Sequence, residues 1–160
     1  MPDLAALNAL PPGDFEELLL GCCAAPGWAH RVTEGRPYES MTDLIAAAGA
    51  AWAARDPGDL DAAMAGHPRI GERRLSGWSA GEQAGVGDDA AARAALADAN
   101  AAYEQRFGHV FLTCATVRGP AEILTELNRR MTNDPAAATS RSAAEIGKIN
   151  ELRLRKLVTA

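Results

Sequence analysis

No apolar run in this chain approaches the roughly 20 residues that would span a bilayer, and no basic, apolar leader pattern opens it. A soluble, cytoplasmic protein without a membrane partner is the expectation. Cysteine is sparse: Cys22, Cys23 and Cys114 show neither a Cys-x-x-Cys spacing nor a histidine at ligand distance along the chain. That leaves no disulfide framework and no zinc site, and the three read as small core residues. Positive charge is also short, with 16 lysines and arginines against 21 aspartates and glutamates and a formal net charge of −5. Binding of nucleic acid normally needs a concentrated basic face, so the balance argues against such a partner. A Gly-rich phosphate loop, a Gly-x-Ser-x-Gly turn and paired metal ligands are all missing, which removes the commoner nucleotide, hydrolase and metalloenzyme readings. Repeats and low-complexity linkers are missing too, so residues 1–160 read as one domain with one core.

Alanine is plentiful, at 35 residues, and arginine outnumbers lysine 14 to 2. Alanine and the apolar spacing both favour helix. Asp14 is placed to cap a helix whose Phe15, Leu18, Leu19 and Cys22 form one face, ended by Pro26-Gly27. A short segment around Trp28 follows. Ser40 or Thr42 then opens a helix carrying Leu44, Ile45, Ala48 and Trp52, and residues 59–65 supply one or two further turns. Ser79-x-x-Glu82 has capping-box spacing. A long alanine-rich helix is expected from about Asp88 to Phe107, and another from Pro120 with Ile123, Leu124, Leu127 and Met131 buried, closed by Asn133-Asp134-Pro135. The last helix is expected from about Ser142 to Leu157. Val110 to Ala115, an apolar run too short to assign by period, reads as coil crossing the core. The fold class is therefore all-α, a single-domain compact bundle of roughly seven to nine helices.

Of three histidines, His30 reads as a surface residue on a short helix, and His109 as a half-buried structural residue or the lining of a cavity. His67 differs because Pro68 pushes it toward an extended backbone and so aims its ring. Two readings stay open for it: a helix-end cap, or an acid–base group working near neutral pH. Arg69, Arg73 and Arg74 beside it offer either an anion cradle or a solvated basic edge. Glu82 either caps a helix or, facing His67, orients the imidazole. Arg153 interrupts the stripe of Ile146, Ile149 and Leu157, so it either meets a carboxylate or ligand or reaches past the core to water.

His67-Pro68, Trp78-Ser79-x-x-Glu82-Gln83, Asn100-x-x-Tyr103-Glu104-x-Arg106-Phe107-Gly108-x-x-Phe111, Ile123-Leu124 with Asn128-Arg129-Arg130 and Asn133, and Glu145-Ile146-x-Lys148-Ile149-x-x-Leu152-Arg153-Leu154 follow one another in order. Together, and over nearly the whole chain, these motifs resemble the OHCU decarboxylase family. The family acts on 2-oxo-4-hydroxy-4-carboxy-5-ureidoimidazoline on the way from urate to (S)-allantoin. The resemblance implies an all-helical, commonly dimeric enzyme that needs no metal or organic cofactor. It places the catalytic histidine on His67, the catalytic glutamate on Glu82 and a substrate-contacting arginine on Arg153. It further implies substrate contacts from Pro68, Gln83, Val110, Phe111 and Leu112. Two departures stand out: His109-Val110 replaces a Phe-Pro pair common in the family, and an alanine-rich stretch after Asn133 replaces a glutamate. Two other readings remain, a non-catalytic helical module holding a small anion and a related lyase for another ureido or hydroxy-carboxylate substrate.

Overall fold

Proline opens five of the eight helices found among the described residues of the computed structural model, which cover 2–70, 82, 89–114 and 119–158. The helices are α1 (Leu4–Ala9), α2 (Pro12–Cys22), α3 (Pro26–Glu34), α4 (Met41–Ala53), α5 (Pro57–Gly66), α6 (Ala90–Phe107), α7 (Pro120–Arg130) and α8 (Pro135–Leu157). No strand occurs among the described residues. The architecture is the expected all-α one, and residues 111–114 form the expected coil, buried from Phe111 to Thr113.

Several expected boundaries move, for one physical reason. Pro26 and Pro135 read as stops, yet each is the first residue of the next helix, where a missing N–H costs nothing and the fixed φ suits the turn. Asp134 then caps α8 by accepting from the Ala137 amide at 2.8 Å, so this helix starts seven residues before the expected Ser142. Asp14 lies inside the first turn of α2 rather than at its cap, and Leu18, placed on the apolar stripe, is 36% exposed. Ser40 does cap α4, accepting from the Asp43 amide, and Asp89 caps α6.

The chain sorts into two compact units, Met1–Gly66 with Gly147–Ala160, and His67–Ile146. In the first, α3 packs against α2, α4 and α5, burying Trp28, whose indole N–H donates to the Ala48 carbonyl at 3.0 Å. In the second, α6 packs against α7 around Ile70, Leu96, Tyr103, Phe111, Ile123 and Leu127. Residues of α8 up to Ile146 belong to the second unit and those from Gly147 onward to the first.

Candidate active site

Helix α5 ends at Gly66, where a side chain would bring a Cβ within 2.9 Å of the Ala24 methyl, so only glycine fits without a shift. His67 follows at once and is buried, 8% exposed. The turn after it is held to α6 at two points one helical turn apart. The buried Asn100 amide donates to the Ile70 carbonyl at 2.8 Å, and the exposed Arg69 guanidinium grips Glu104, with Nε to Oε1 at 3.0 Å and Nη2 to Oε1 at 2.9 Å. A buried neutral hydrogen bond contributes about 1 kcal/mol and an exposed ion pair less than that, so Asn100 does most of the holding. Arg69 thus has a carboxylate partner within its own unit, which weakens the anion-cradle reading.

Glu82 is helical and buried, also 8% exposed, while Pro68 is half-buried. Gln83, Arg73, Arg74, Trp78 and the Ser79 capping position lie outside the described residues.

Gly108 ends α6 in the left-handed region at φ 78°, its N–H donating to the Glu104 carbonyl at 2.8 Å, and the chain turns into the 110–113 coil. Val110 is half-buried, and Phe111, Leu112 and Thr113 are buried. The Phe111 ring meets Tyr103 edge-on at 5.4 Å between centroids, and the Tyr103 ring also meets His109 at 5.7 Å. His109 is half-buried, as expected of a structural histidine, and His30 is exposed between Glu16 and Glu34.

Arg130 comes up beneath this coil and is only 2% exposed. One Nη donates to the Leu112 carbonyl, the other to Ser142 Oγ at 3.2 Å, and the guanidinium lies 4.7 Å from the centre of the Phe111 ring. Burial lowers its pKa, with the neighbouring Tyr103, Glu145 and Glu126 opposing the shift. Around it runs a charged network. Thr113 Oγ1 donates to Glu145 Oε1 at 2.9 Å, and Arg141 approaches Glu145 at 3.5 Å and Glu126 at 3.6 Å. Arg130 enters the sequence motifs without a role of its own, although the signal for one is present. Ile123, Leu127 and Arg130 stand at i, i+4 and i+7, the same charge on an apolar stripe that drew attention to Arg153.

Arg153 belongs to the first unit and is 6% exposed, so it does not reach past the core to water. Its Nη1 donates at 2.7 Å to the Cys22 carbonyl, one of the last carbonyls of α2, where a cation also complements the helix dipole. Cys22 and Cys23 are buried as expected, and Cys114 is half-buried.

Comparison with known proteins adds what geometry alone does not. A family model described as OHCU decarboxylase matches residues 8–155. A 2-oxo-4-hydroxy-4-carboxy-5-ureidoimidazoline decarboxylase from Amia calva is 30% identical over 98% of this chain and 94% of its own length. A protein of the same description from Mus musculus is 28% identical over 99% of this chain and 94% of its own. A uric acid degradation bifunctional protein from Arabidopsis thaliana is 30% identical over 85% of this chain, which spans 45% of that longer protein. Among solved structures, an OHCU decarboxylase crystallised in the presence of (S)-allantoin superposes with a TM-score of 0.81 at 30% identity, covering 91% of this chain and 99% of that one.

Proposed function

The chain belongs to the OHCU decarboxylase family, and on that premise we propose that it removes carbon dioxide from 2-oxo-4-hydroxy-4-carboxy-5-ureidoimidazoline, giving (S)-allantoin in urate degradation. The observation that carries this reading is the extent of the family match. Residues 8–155 take in the His67 turn, Glu82, the 110–112 coil and Arg153 together.

The chemistry suits these residue types. Breaking the bond from C4 to the carboxylate leaves an electron pair, which forms a C4–C5 double bond as the adjacent ring C=N accepts electrons and a proton on nitrogen. C5 is then protonated while the C4 hydroxyl loses its proton and becomes the carbonyl of allantoin. The ring itself is the electron sink. His67, oriented by Glu82, bonds the C4 hydroxyl and manages its proton. A buried imidazole whose backbone is set by a following proline suits that task, since burial keeps bulk water from competing for it. Pro68, Phe111 and Leu112 form apolar wall, and the Val110 backbone and Gln83 offer polar contacts. Arg153, assigned through the family motif, takes the ring or ureido oxygens; its planar fork fits paired oxygens. Protonation of C5 from one face sets the (S) configuration. The enzyme works as a cytoplasmic homodimer over residues 1–160, with no nucleic-acid partner. No helix among the described residues is long and apolar enough to cross a membrane.

The test supplies freshly generated ureidoimidazoline to the wild type and to His67→Asn, following carbon dioxide release and the optical activity of the product. The wild type should yield (S)-allantoin, and the variant should be slower by about 100- to 10,000-fold, the range for loss of a general acid–base group. Equal rates would remove His67 from the mechanism, and no release by either would remove the reaction.

A further inference from the structure

We infer that Arg130 is a positioning residue, holding the Phe111–Leu112 backbone in the place where it serves as a wall of the substrate pocket. This rests on the reading above that residues 110–112 face substrate. Among the described residues the coil has no strand partner and no helical hydrogen bonds, so the side chains that reach it carry much of its positioning. Arg130 makes three contacts at once: the Leu112 carbonyl, Ser142 Oγ and the face of the Phe111 ring. Two of these fall on adjacent residues of the coil, one on backbone and one on a side chain, which fixes both height and rotation. Thr113 secures the next residue through Glu145.

An arginine is a costly choice for this position. Burial works against its charge, and an apolar residue of similar volume commonly stabilises as well or better. What an apolar side chain or a lysine cannot supply is a planar fork that donates in two directions while stacking on a ring. Glu145 and Glu126 offset part of the cost of burial; the contacts to Leu112 and Phe111 are the ones that set pocket shape.

The experiment compares Arg130→Lys with Arg141→Gln, which disturbs the same charged network without touching residues 111 or 112. Four readouts are needed: Tm, kcat/KM on the ureidoimidazoline, affinity for (S)-allantoin, and amide hydrogen exchange of residues 111–113. Arg130→Lys should lose at least about tenfold in kcat/KM and allantoin affinity, with faster exchange at 111–113, as expected of a displaced site wall. Arg141→Gln should lower Tm and leave kcat/KM unchanged. Wild-type kcat/KM in Arg130→Lys overturns the inference, as does an equal kinetic loss in Arg141→Gln. Should the wild type itself fail to turn over the ureidoimidazoline, the proposed reaction falls. Exchange at 111–113 and allantoin binding would then still decide whether Arg130 shapes this segment.

Discussion

Arg36 and Arg130 are both arginines drawn inward, and the regions around them solve that problem differently. Arg36, in the first unit, donates to the Leu7 carbonyl at 3.2 Å and the Leu10 carbonyl at 2.8 Å, and lies 4.5 Å from the Phe15 ring centre. Arg153 does the same at the end of α2, on Cys22. These cations close helix ends: they satisfy carbonyls that the helix leaves over and complement its dipole. In the second unit the charges gather instead. Arg129, Arg141, Glu126 and Glu145 pair with one another around Arg130. A cap is a local device whose loss stays local, whereas members of a network share partners, so the effects of removing them do not add.

The largest test of that contrast is Glu145→Ala. It strips a fully buried carboxylate from Thr113 and Arg141 and removes one of the two glutamates that offset the burial of Arg130, and urea denaturation should show a loss of about 3–5 kcal/mol, the range for a buried charge left short of a partner. Combined with Arg141→Ala, the total should fall well short of the sum. An additive pair would break the distinction. Arg36→Met should cost about 2–3 kcal/mol through the lost charge-assisted bonds to α1, with little dependence on salt.

A third test uses pH. Burial pushes the Cys23 thiol up to about 11 from an ordinary 9.0. The folded state therefore keeps a proton that the unfolded state gives up, so stability is full below pH 9 and declines as pH rises through the interval to about 11. The decline should be on the order of 2 kcal/mol, and Cys23→Ala should abolish it. A slope that survives the substitution assigns the alkaline loss elsewhere, with Tyr38, whose pKa burial also raises, the next residue to substitute. The smallest effect belongs to Arg69→Ala. Its pairing with Glu104 is exposed, so it should contribute less than about 1 kcal/mol and fade at high salt, unlike Asn100→Ala on the same turn.

Much of this was legible from residue types alone. Phe15, Leu19 and Cys22, then Leu44, Ala48 and Trp52, then Ile123 and Leu127 are buried at the spacing that named their helices. The short coil at Val110–Cys114 followed from a run too brief for a helix and without a partner for a strand. Proline was harder, because the same residue stops one helix and starts another; Pro26 and Pro135 show that the second role wins when a connection is only a few residues long. His67 stands out because Pro68 constrains it, but the bond that holds its turn, from Asn100 to the Ile70 carbonyl, spans thirty residues of chain and no local pattern announces it. Asp59 is a similar case: it reads as the start of a short helix, yet its carboxylate accepts from the Gly27 amide at 2.9 Å, at the beginning of α3. Long-range hydrogen bonds of this kind depend on where helices pack, and periodicity carries no record of that.

Helix α8 supplies Ser142 and Glu145 to one unit and Asn150, Arg153 and Leu154 to the other. Because each added residue turns an α-helix by about 100°, a single insertion between Gly147 and Arg153 would leave Gly147 against the Trp52 ring and swing Arg153 off the Cys22 carbonyl, both within the first unit. The stretch from Gly147 to Arg153 is thus a phase setting, with one residue count that keeps both contacts at once.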